Sequence, residues 1–225
     1  MKKEVVVISL GGSVIVPDQI DIEFLKDFRK LIKSQLGKYK FIIITGGGKT
    51  ARRYQKAAKA IVKVSRDDLD WIGIHSTRLN GHLLRTIFRD VAEPALVKNP
   101  TSKFKFEKVL IAAGWEPGWS TDTDAVLLAK NIGAKIVVNI TNIDYLHDKN
   151  PEKFKNTKII KKIDWKGFRK IVGNKWDPGM SAPFDPVASK IAQHSGMKLI
   201  LLGRKLKNLK NFLDGKKFEG SVVEN

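Results

Sequence analysis

The feature of this chain that most constrains its fold is a repeated alternation of apolar runs with segments of helical periodicity. Within the runs the apolar residues are continuous, which is typical of strands buried on both faces of a sheet. Strands that alternate with helices along a chain pair mostly in parallel, with helices packed on both sides. The pattern therefore predicts an α/β protein, a three-layer αβα sandwich with a mainly parallel central sheet. The runs are EVVVISL, KFIIIT, KVLIAA, AKIVVNIT and MKLILLG.

The segments between these runs carry helix signals. Apolar residues recur at helical spacing after Asp21, and Gly133 is a typical C-terminal stop for the helix before it. Asp185 followed by Pro186 is a good start signal for another helix. Because the chain has no internal repeat and no Pro- or Ser-rich linker, we predict a single domain over residues 1–225. We expect helices at 21–36, 49–64, 66–91, 123–133, 164–172, 185–195 and 206–213, and an edge strand at 220–223.

Composition limits the setting in which the protein works. The chain of 225 residues is 42% hydrophobic, which is enough to build a sizeable core. It contains no cysteine, and this excludes disulfides and cysteine-bound zinc. No apolar run approaches the roughly 18 residues of a membrane span, and the first run, 5–10, is shorter than the core of a signal peptide. We therefore expect a cytoplasmic protein without a membrane segment.

The chain is strongly basic. It has 42 lysine and arginine residues against 23 acidic ones, a formal net charge of +19. Three interpretations fit this charge: a lysine-rich solvated surface, a field that attracts phosphate-bearing small molecules, or a nucleic-acid-binding face. The densest clusters are KNPTSKFKFEK and KFKNTKIIKK, and neither has the pattern of a single-strand-binding arm. A nucleic-acid partner is therefore the least favoured of the three.

The second apolar run ends in TGGGKT, which is close to a nucleotide-binding P-loop. A P-loop has the spacing G-x-x-x-x-G-K-[ST], and the position of its first glycine is Ile43 here. The first run also ends in a glycine turn, at Gly11 and Gly12. Glycines let backbone N–H groups approach an anion, and the following helix N-terminus adds about half a positive charge. Two such turns, with Lys49 and Arg52 beside one of them, predict a phosphate site at the carboxyl ends of the strands.

Polar residues also follow the third and fourth strands, in the segments GWEPGWSTDTD and TNIDYLHDKNP. Taken singly, Asp122, Thr141 and Asn142 are good helix-capping or turn residues and need no further explanation. They become candidate site residues because they are expected at the same edge of the sheet as the two glycine turns.

These segments, taken in order, resemble the amino acid kinase family and, within it, the archaeal-type uridylate kinases. The resemblance runs from Val5 to Val223 and so covers almost the whole chain. Each segment alone is a weak signal, whereas the set in the right order is specific. The segments are SLGGSVIVP, GGGKTARRY, DWIGIHSTRLNGHLL, PGWSTDTDAVLLA, TNIDYLHDKNP and FDPVASKIAQHSGMKLILLG.

The resemblance implies transfer of the γ-phosphoryl group of ATP to UMP, giving UDP and ADP in pyrimidine nucleotide biosynthesis. Such a reaction depends mainly on positioning and charge neutralisation. The family pattern implies an N-terminal acceptor-binding lobe over about 1–133 and a C-terminal ATP-binding lobe over about 134–225. Magnesium is implied as the partner of ATP, held mainly by phosphate oxygens and water, and we expect no protein metal ligand.

The family's site residues map by resemblance onto positions of this chain. Ser13 and Asp185 are implied catalytic residues. The lysine that holds the transferred phosphate in most of the wider family is absent from SLGGS here, so Lys49 is our candidate to replace it, as the third catalytic residue. Asp70 is the implied acceptor of a ribose hydroxyl. The implied ATP-binding residues are Gly12, Ser13, Gly48, Arg52, Thr141, Asn142, His147 and Asn150. The implied UMP-binding residues are Gly47, Asp70, Trp115, Glu116, Pro117, Gly118, Trp119, Ser120 and Thr121.

The chain departs from the family pattern in two loops. The archaeal kinases have T-H-P-G-H-T-T where this chain has WEPGWST, so Glu116 and Trp119 replace two histidines. In the donor loop, His147 and Asn150 stand at a tyrosine and an aspartate position. These departures leave two alternatives open. One is a relative with another phosphate or carboxylate acceptor, such as isopentenyl phosphate kinase. The other is a non-catalytic protein that binds nucleotides or oxoanions.

The family also suggests a homo-oligomer, a dimer or a hexamer, packed through the long helices. On this interpretation Trp71 and Ile74 lie at the contact between subunits.

Overall fold

The computed structural model describes residues 3–151, 154–173 and 182–225, in which a seven-stranded sheet lies between two sets of helices. The strands in these ranges are β1 (Glu4–Leu10), β2 (Tyr39–Thr45), β3 (Val109–Ala112), β4 (Ile136–Ile140), β5 (Leu146–His147), β6 (Ile159–Ile160), β7 (Lys162–Ile163), β8 (Lys198–Leu202) and β9 (Ser221–Val223). The helices are α1 (Gly12–Ile15), α2 (Ile22–Gln35), α3 (Gly48–Ile61), α4 (Arg66–Ile87), α5 (Thr121–Ile132), α6 (Trp165–Val172), α7 (Pro186–His194) and α8 (Leu206–Leu213).

The centre of the sheet is parallel. Strand β1 pairs in parallel with β2 and β4, β2 pairs with β3, and β4 pairs with β8. The strand order is β3-β2-β1-β4-β8-β9-β7. The predicted αβα sandwich with a mainly parallel sheet is therefore confirmed.

The last strand is not the edge strand that the sequence predicts. Strand β9 runs antiparallel to β8 and pairs on its other side, in parallel, with β7. Strand β7 has only two residues, Lys162 and Ile163. A strand of that length carries no readable periodicity, so its position outside β9 could not be inferred from the sequence.

Both faces of the sheet are buried, and alternate residues of β1 show this directly. Ile8 and Leu10 pack with Phe28 in one core, whereas Val7 packs with Trp165 in the core on the opposite face. All five side chains are fully buried. A strand that is covered on both faces needs apolar residues at every position, which explains the continuous runs.

The helix boundaries follow local end signals. The Asp21 carboxylate caps α2 by accepting a 3.0 Å hydrogen bond from the Phe24 amide, and Gly133 ends α5 with φ of 72°. Helices α3 and α4 end before the predicted residues 64 and 91. Helix α3 stops because Val62 is already extended, and α4 stops because the chain turns after Phe88.

Some short elements carry no sequence signal. Helix α1 is a four-residue turn directly after β1. The lysine-rich segment after β4 contains the antiparallel pair β5 and β6, two residues each.

In the part of the chain that the structure describes, no helix combines the length and the apolarity needed to cross a membrane.

Candidate active site

The two glycine turns are in direct backbone contact at the carboxyl edge of the sheet. A β-carbon on Gly12 would lie 2.0 Å from the amide nitrogen of Gly48, and one on Gly46 would lie 2.3 Å from the amide nitrogen of Gly12. Gly48 has φ of 65°, a conformation that glycine adopts without strain. The two turns can therefore approach this closely because these residues have no side chains.

Helix α4 supports the triple-glycine turn from below. The Asn80 side chain is 3% exposed and donates to the carbonyl oxygens of Gly46, at 2.8 Å, and Gly47, at 3.4 Å. Because the carbonyls of the turn bond to Asn80, its backbone orientation is fixed without any ligand. Thr45, at the end of β2, adds a 2.9 Å hydrogen bond from its hydroxyl to the Thr77 carbonyl.

The first cavity has a volume of about 240 Å³ and opens between α3, α4 and the loop before α5. We call this loop, residues 114–121, the acceptor loop. The cavity wall combines backbone amides, the cation Arg52, the carboxylate of Asp70 and the ring of Trp119. Its lining residues are Gly47, Gly48, Ala51, Arg52, Gln55, Asp70, Gly73, Ile74, Thr77, Gly114, Trp119, Ser120 and Thr121.

Helix α4 also holds the acceptor loop in place. The Gly114 amide donates to the Thr77 hydroxyl at 2.8 Å, and the Gly118 amide donates to the Asp70 carboxylate at 2.9 Å. The rings of Trp115 and Trp119 pack against each other with centroids 5.6 Å apart. The loop is thus ordered by contacts that do not depend on a bound ligand.

Two aspartates at the start of α5 lie beneath the site. Asp122 accepts a 2.8 Å hydrogen bond from the Ser9 hydroxyl of β1 and a 3.3 Å hydrogen bond from the Asp185 amide. Burial raises the pKa of Asp122 to about 7, and the nearby Asp185 carboxylate adds to the increase. Asp122 therefore joins three elements of the sheet edge and changes its ionisation state near neutral pH.

Asp124 is fully buried, and its Oδ2 accepts a 3.1 Å hydrogen bond from the Trp115 amide. Its Oδ1 has no hydrogen-bond partner among the described residues. Burial raises the pKa of Asp124 to about 8, and the neighbouring carboxylate of Glu116 adds to the increase. A carboxyl group in this environment is largely protonated at pH 7.

A second cavity, of about 210 Å³, lies beyond β4. The His147 ring is fixed at its edge by a 2.8 Å hydrogen bond between Nδ1 and the Thr157 hydroxyl. Four predicted ATP-binding residues, Thr141, Asn142, His147 and Asn150, line this cavity. Its other lining residues are Ile143, Asp148, Lys149, Pro151, Ile171, Val172, Ala182 and Pro183.

One turn separates the two cavities. Gly12 is in contact with Gly48, which lines the first cavity, and the adjacent Gly11 lies against Thr141, which lines the second. The glycine turn after β1 therefore contacts a lining residue of each cavity. Arg52 and Gly48, which the resemblance assigns to the ATP side, both line the first cavity.

Two of the predicted catalytic residues, Ser13 and Lys49, directly follow the two glycine turns in the chain, and neither lines a described cavity. Ser13 is in α1, and the Lys49 amide donates to the carbonyl of Val16 just after α1, at 3.0 Å. Within the described ranges no carboxylate pairs with Lys49 or Arg52, whereas the neighbouring Arg53 pairs with Asp18 at 2.8 Å.

The other predicted site residues do not line the first cavity. The Asp185 carboxylate caps α7 by accepting hydrogen bonds from the Val187 and Ala188 amides. Trp115, Glu116, Pro117 and Gly118 belong to the acceptor loop but are not among the residues that line the described cavity.

One predicted helix cap is wrong, and two residues that support the site were not predicted from the sequence. Asp122 does not cap α5, because the Ser120 hydroxyl accepts the capping hydrogen bond from the Thr123 amide at 3.1 Å. Asn80 and Arg78 were not singled out as site residues. Their only sequence signal was their place inside the segment DWIGIHSTRLNGHLL.

Comparison with known proteins identifies the family. The chain matches the model of the amino acid kinase family over residues 4–203. It is 36% identical to the uridylate kinase of Thermoplasma volcanium, over 95% of this chain and 94% of that protein. It is 34% identical to the uridylate kinase of Pyrococcus abyssi, over 97% and 99% of the two chains. The chain belongs to the amino acid kinase family, as the sequence predicted.

Solved structures agree with this assignment. The crystal structure of uridylate kinase from Archaeoglobus fulgidus aligns with a TM-score of 0.83 at 29% identity, covering 97% of this chain and 99% of that one. UMP kinase from Ureaplasma parvum aligns over the full length of both chains with a TM-score of 0.77 at 20% identity, which shows a shared fold.

Proposed function

We propose that this protein is an ATP-dependent UMP kinase, which transfers the γ-phosphoryl group of ATP to UMP and releases UDP and ADP. The observation that supports the proposal is the turn at Gly11 and Gly12, which contacts Gly48 in the lining of the first cavity and Thr141 in the lining of the second. Full-length relatives with the name uridylate kinase support the identity of both substrates. We assign the reaction to pyrimidine nucleotide biosynthesis in the cytoplasm.

The reaction needs little covalent chemistry from the protein. A phosphate oxygen of UMP attacks the γ-phosphorus of ATP, the bond from that phosphorus to the bridging oxygen breaks, and ADP leaves with the electron pair. Negative charge spreads over the oxygens of the transferred group, so catalysis rests on positioning and electrostatic stabilisation. We propose that the amides of Gly12, Gly47 and Gly48 and the ammonium group of Lys49 supply these. The amides of Gly11 and Gly46 already donate to backbone carbonyls of the sheet.

The first cavity suits the acceptor. Arg52 and the amides of Gly47 and Gly48 would bind the phosphate of UMP, and Asp70 would accept a hydrogen bond from a ribose hydroxyl. Ser120 and Thr121 offer hydroxyl groups in the same wall. The remaining implied acceptor residues, Trp115, Glu116, Pro117 and Gly118, would act by shaping the loop.

The second cavity suits ATP. We propose that His147 stacks on the adenine and that Thr141, Asn142 and Asn150 bind the rest of the nucleoside. Gly12 and Ser13, in the turn between the cavities, would contact the terminal phosphates. Asp185 is tied to the α7 N-terminus, so its proposed role is to hold Asp122 and the turn in place through its backbone.

Magnesium enters this scheme as part of the substrate. The described residues contain no group of three His, Asp or Glu side chains that could hold a metal ion. We propose that Mg²⁺ arrives bound to the phosphates of ATP, because hard phosphate oxygens are the ligands it prefers.

We propose a homo-oligomer that packs through the exposed apolar face of α3 and α4. Tyr54, Ile61, Trp71 and Leu79 are 67%, 81%, 40% and 63% exposed on these helices. Ile74, the second residue expected at the contact, is 5% exposed and lines the first cavity, so that expectation is wrong. Light scattering on the wild type and on Leu79→Lys tests the proposal, since the variant should dissociate.

The test of the function is a direct acceptor screen. The purified protein is incubated with Mg·ATP and each of UMP, CMP, AMP, isopentenyl phosphate and acetylglutamate, and ADP formation is followed. We expect UMP to give the highest rate. A higher rate with another acceptor would show that the protein is a kinase for that acceptor and not a UMP kinase. ATP binding without any turnover would indicate a non-catalytic nucleotide-binding protein.

A further inference from the structure

We propose that Arg78 is the positioning residue of the acceptor loop, and that through it helix α4 sets the affinity for the phosphate acceptor. Arg78 lines neither described cavity. Its guanidinium instead bonds to the backbone at the point where the loop leaves β3. The inference rests on the proposed function, because it assigns the acceptor to the first cavity.

The guanidinium clamps two consecutive carbonyl groups. Nε of Arg78 donates to the Gly114 carbonyl at 3.2 Å, and Nη2 donates to the Trp115 carbonyl at 2.7 Å. These two carbonyls belong to adjacent peptide units, so a planar fork with fixed geometry sets their relative orientation. A lysine has no such fork and would bond to one carbonyl at a time.

Other α4 side chains complete the clamp. Thr77, adjacent to Arg78, accepts from the Gly114 amide, and Asp70, two turns earlier, accepts from the Gly118 amide. All of these bonds go to the backbone of the loop. The loop can therefore keep its path although its side chains include Glu116 and Trp119, because none of the anchors depends on them.

The other side of the guanidinium rests on an aromatic ring. The central carbon of Arg78 lies 5.8 Å from the ring centroid of Trp71, about two turns back on α4. Arg78 is partly buried between the loop and this ring. Cation–π contact on one side and two carbonyls on the other restrict its rotamers, so its position is fixed before any substrate binds.

Arg78 should therefore affect the first cavity and leave the second cavity unchanged. Trp119, Ser120 and Thr121 form one wall of the first cavity, and Gly114 lies at its base. If the entry of the loop shifts, these wall residues shift with it, while the second cavity beyond β4 is unaffected. Loss of Arg78 should therefore weaken acceptor binding without changing ATP binding.

The test uses Arg78→Lys and Arg78→Met with Arg85→Lys as the matched control. Arg85 lies on the same helix and donates from Nε to a backbone carbonyl, that of Pro94, at 3.0 Å, away from the loop. We expect the KM for UMP to rise by about tenfold or more in both Arg78 variants, from the loss of charge-assisted hydrogen bonds. The KM for ATP should stay within about twofold, and Arg85→Lys should behave as wild type.

Hydrogen exchange provides a readout that does not require turnover. Peptides that cover 114–121 should exchange faster in the Arg78 variants than in the wild type or in Arg85→Lys. Unchanged exchange, or a parallel rise of both KM values together with a general loss of stability, would overturn the proposal. If the wild type makes no ADP with UMP, the proposed function fails, while faster loop exchange in the variants would still support the clamp.

Discussion

The backbones of Gly12 and Gly48 meet so closely that a β-carbon on Gly12 would lie 2.0 Å from the Gly48 amide nitrogen. These residues begin α1 and α3, the helices that follow the first two strands of the sheet. The contact brings the four-residue turn α1 against the N-terminus of the longer helix α3, which adds partial positive charge there. Positive charge at this position would stabilise the negative charge of a phosphoryl group during its transfer between two substrates.

A methyl group at Gly12 should break this contact. We expect Gly12→Ala to lose about 3 kcal/mol of unfolding free energy, or to fold with displaced turns and no kinase activity, because no backbone atom can move away cheaply. Urea unfolding and ADP release measure both effects. Gly37→Ala is the control, since a β-carbon there meets nothing within 4 Å. A Gly12→Ala protein with normal stability and turnover would contradict the close approach.

The strands and helix ends were predictable because their signals are local. Continuous apolar residues predict a buried parallel strand wherever both faces are covered, as in β1 and β2. Asp21 begins α2 and Gly133 ends α5, each through hydrogen bonds within the adjoining turn of its helix. The two glycine turns were recognisable as an anion site for the same reason, since glycine content and the following helix are both local features.

The remainder depends on contacts between residues distant in sequence. Ser9 and Asp122, whose hydrogen bond ties β1 to α5, are 113 positions apart. Arg78 donates a hydrogen bond to the carbonyl of Trp115, 37 positions away. The spacing of these two residues in the sequence does not predict this hydrogen bond. Ile74 was expected at a subunit contact because it lies on the long helix, but the side of a helix that faces inward depends on its neighbours.

Lys49 lies in the first turn of α3, beside the meeting point of the turns. We expect Lys49→Ala to lower kcat about a hundredfold, because one charge-stabilising group is removed from the transferred phosphate. Its fold should be unchanged, since no carboxylate pairs with this lysine within the described ranges. Steady-state ADP release is the measurement, and Lys56→Ala, exposed further along α3, is the control. Full activity of Lys49→Ala would assign the role to another cation.

Asn80 fixes the carbonyl groups of the triple-glycine turn from inside the protein. We expect Asn80→Ala to lose about 1–3 kcal/mol of stability, because two carbonyls lose their buried donor, and to lower kcat as the turn relaxes. Asn131→Ala is the control, since its amide also bridges two carbonyls, those of Pro100 and Ser102, at the far end of α5. That variant should keep its kcat, and an Asn80→Ala protein with unchanged kcat would argue against preorganisation of the turn.

The buried carboxyl group of Asp124 predicts an unusual dependence of stability on pH. Burial raises its pKa from 3.8 to about 8 in the folded protein. Between pH 4 and 8 the folded state therefore keeps a proton that the unfolded state loses, so rising pH favours unfolding across this window. One such proton changes the unfolding free energy by about 1.4 kcal/mol per pH unit. The effect is opposite in sign to that of a carboxylate in an ion pair.

Asp124→Asn should remove the part of this dependence that Asp124 contributes, because its amide cannot ionise, while Asp122, whose pKa is raised to about 7, keeps its own part in both proteins. Between pH 5 and 7 the unfolding free energy of the wild type should fall by about 3 kcal/mol relative to that of the variant, as measured by urea unfolding at each pH. Asp90→Asn is the control with the opposite sign. A hydrogen bond from Lys33 lowers the pKa of Asp90, so its contribution is lost only below about pH 4 and the slope between pH 5 and 7 should stay as in the wild type. Equal slopes for Asp124→Asn and the wild type would show that Asp124 ionises normally in the folded protein.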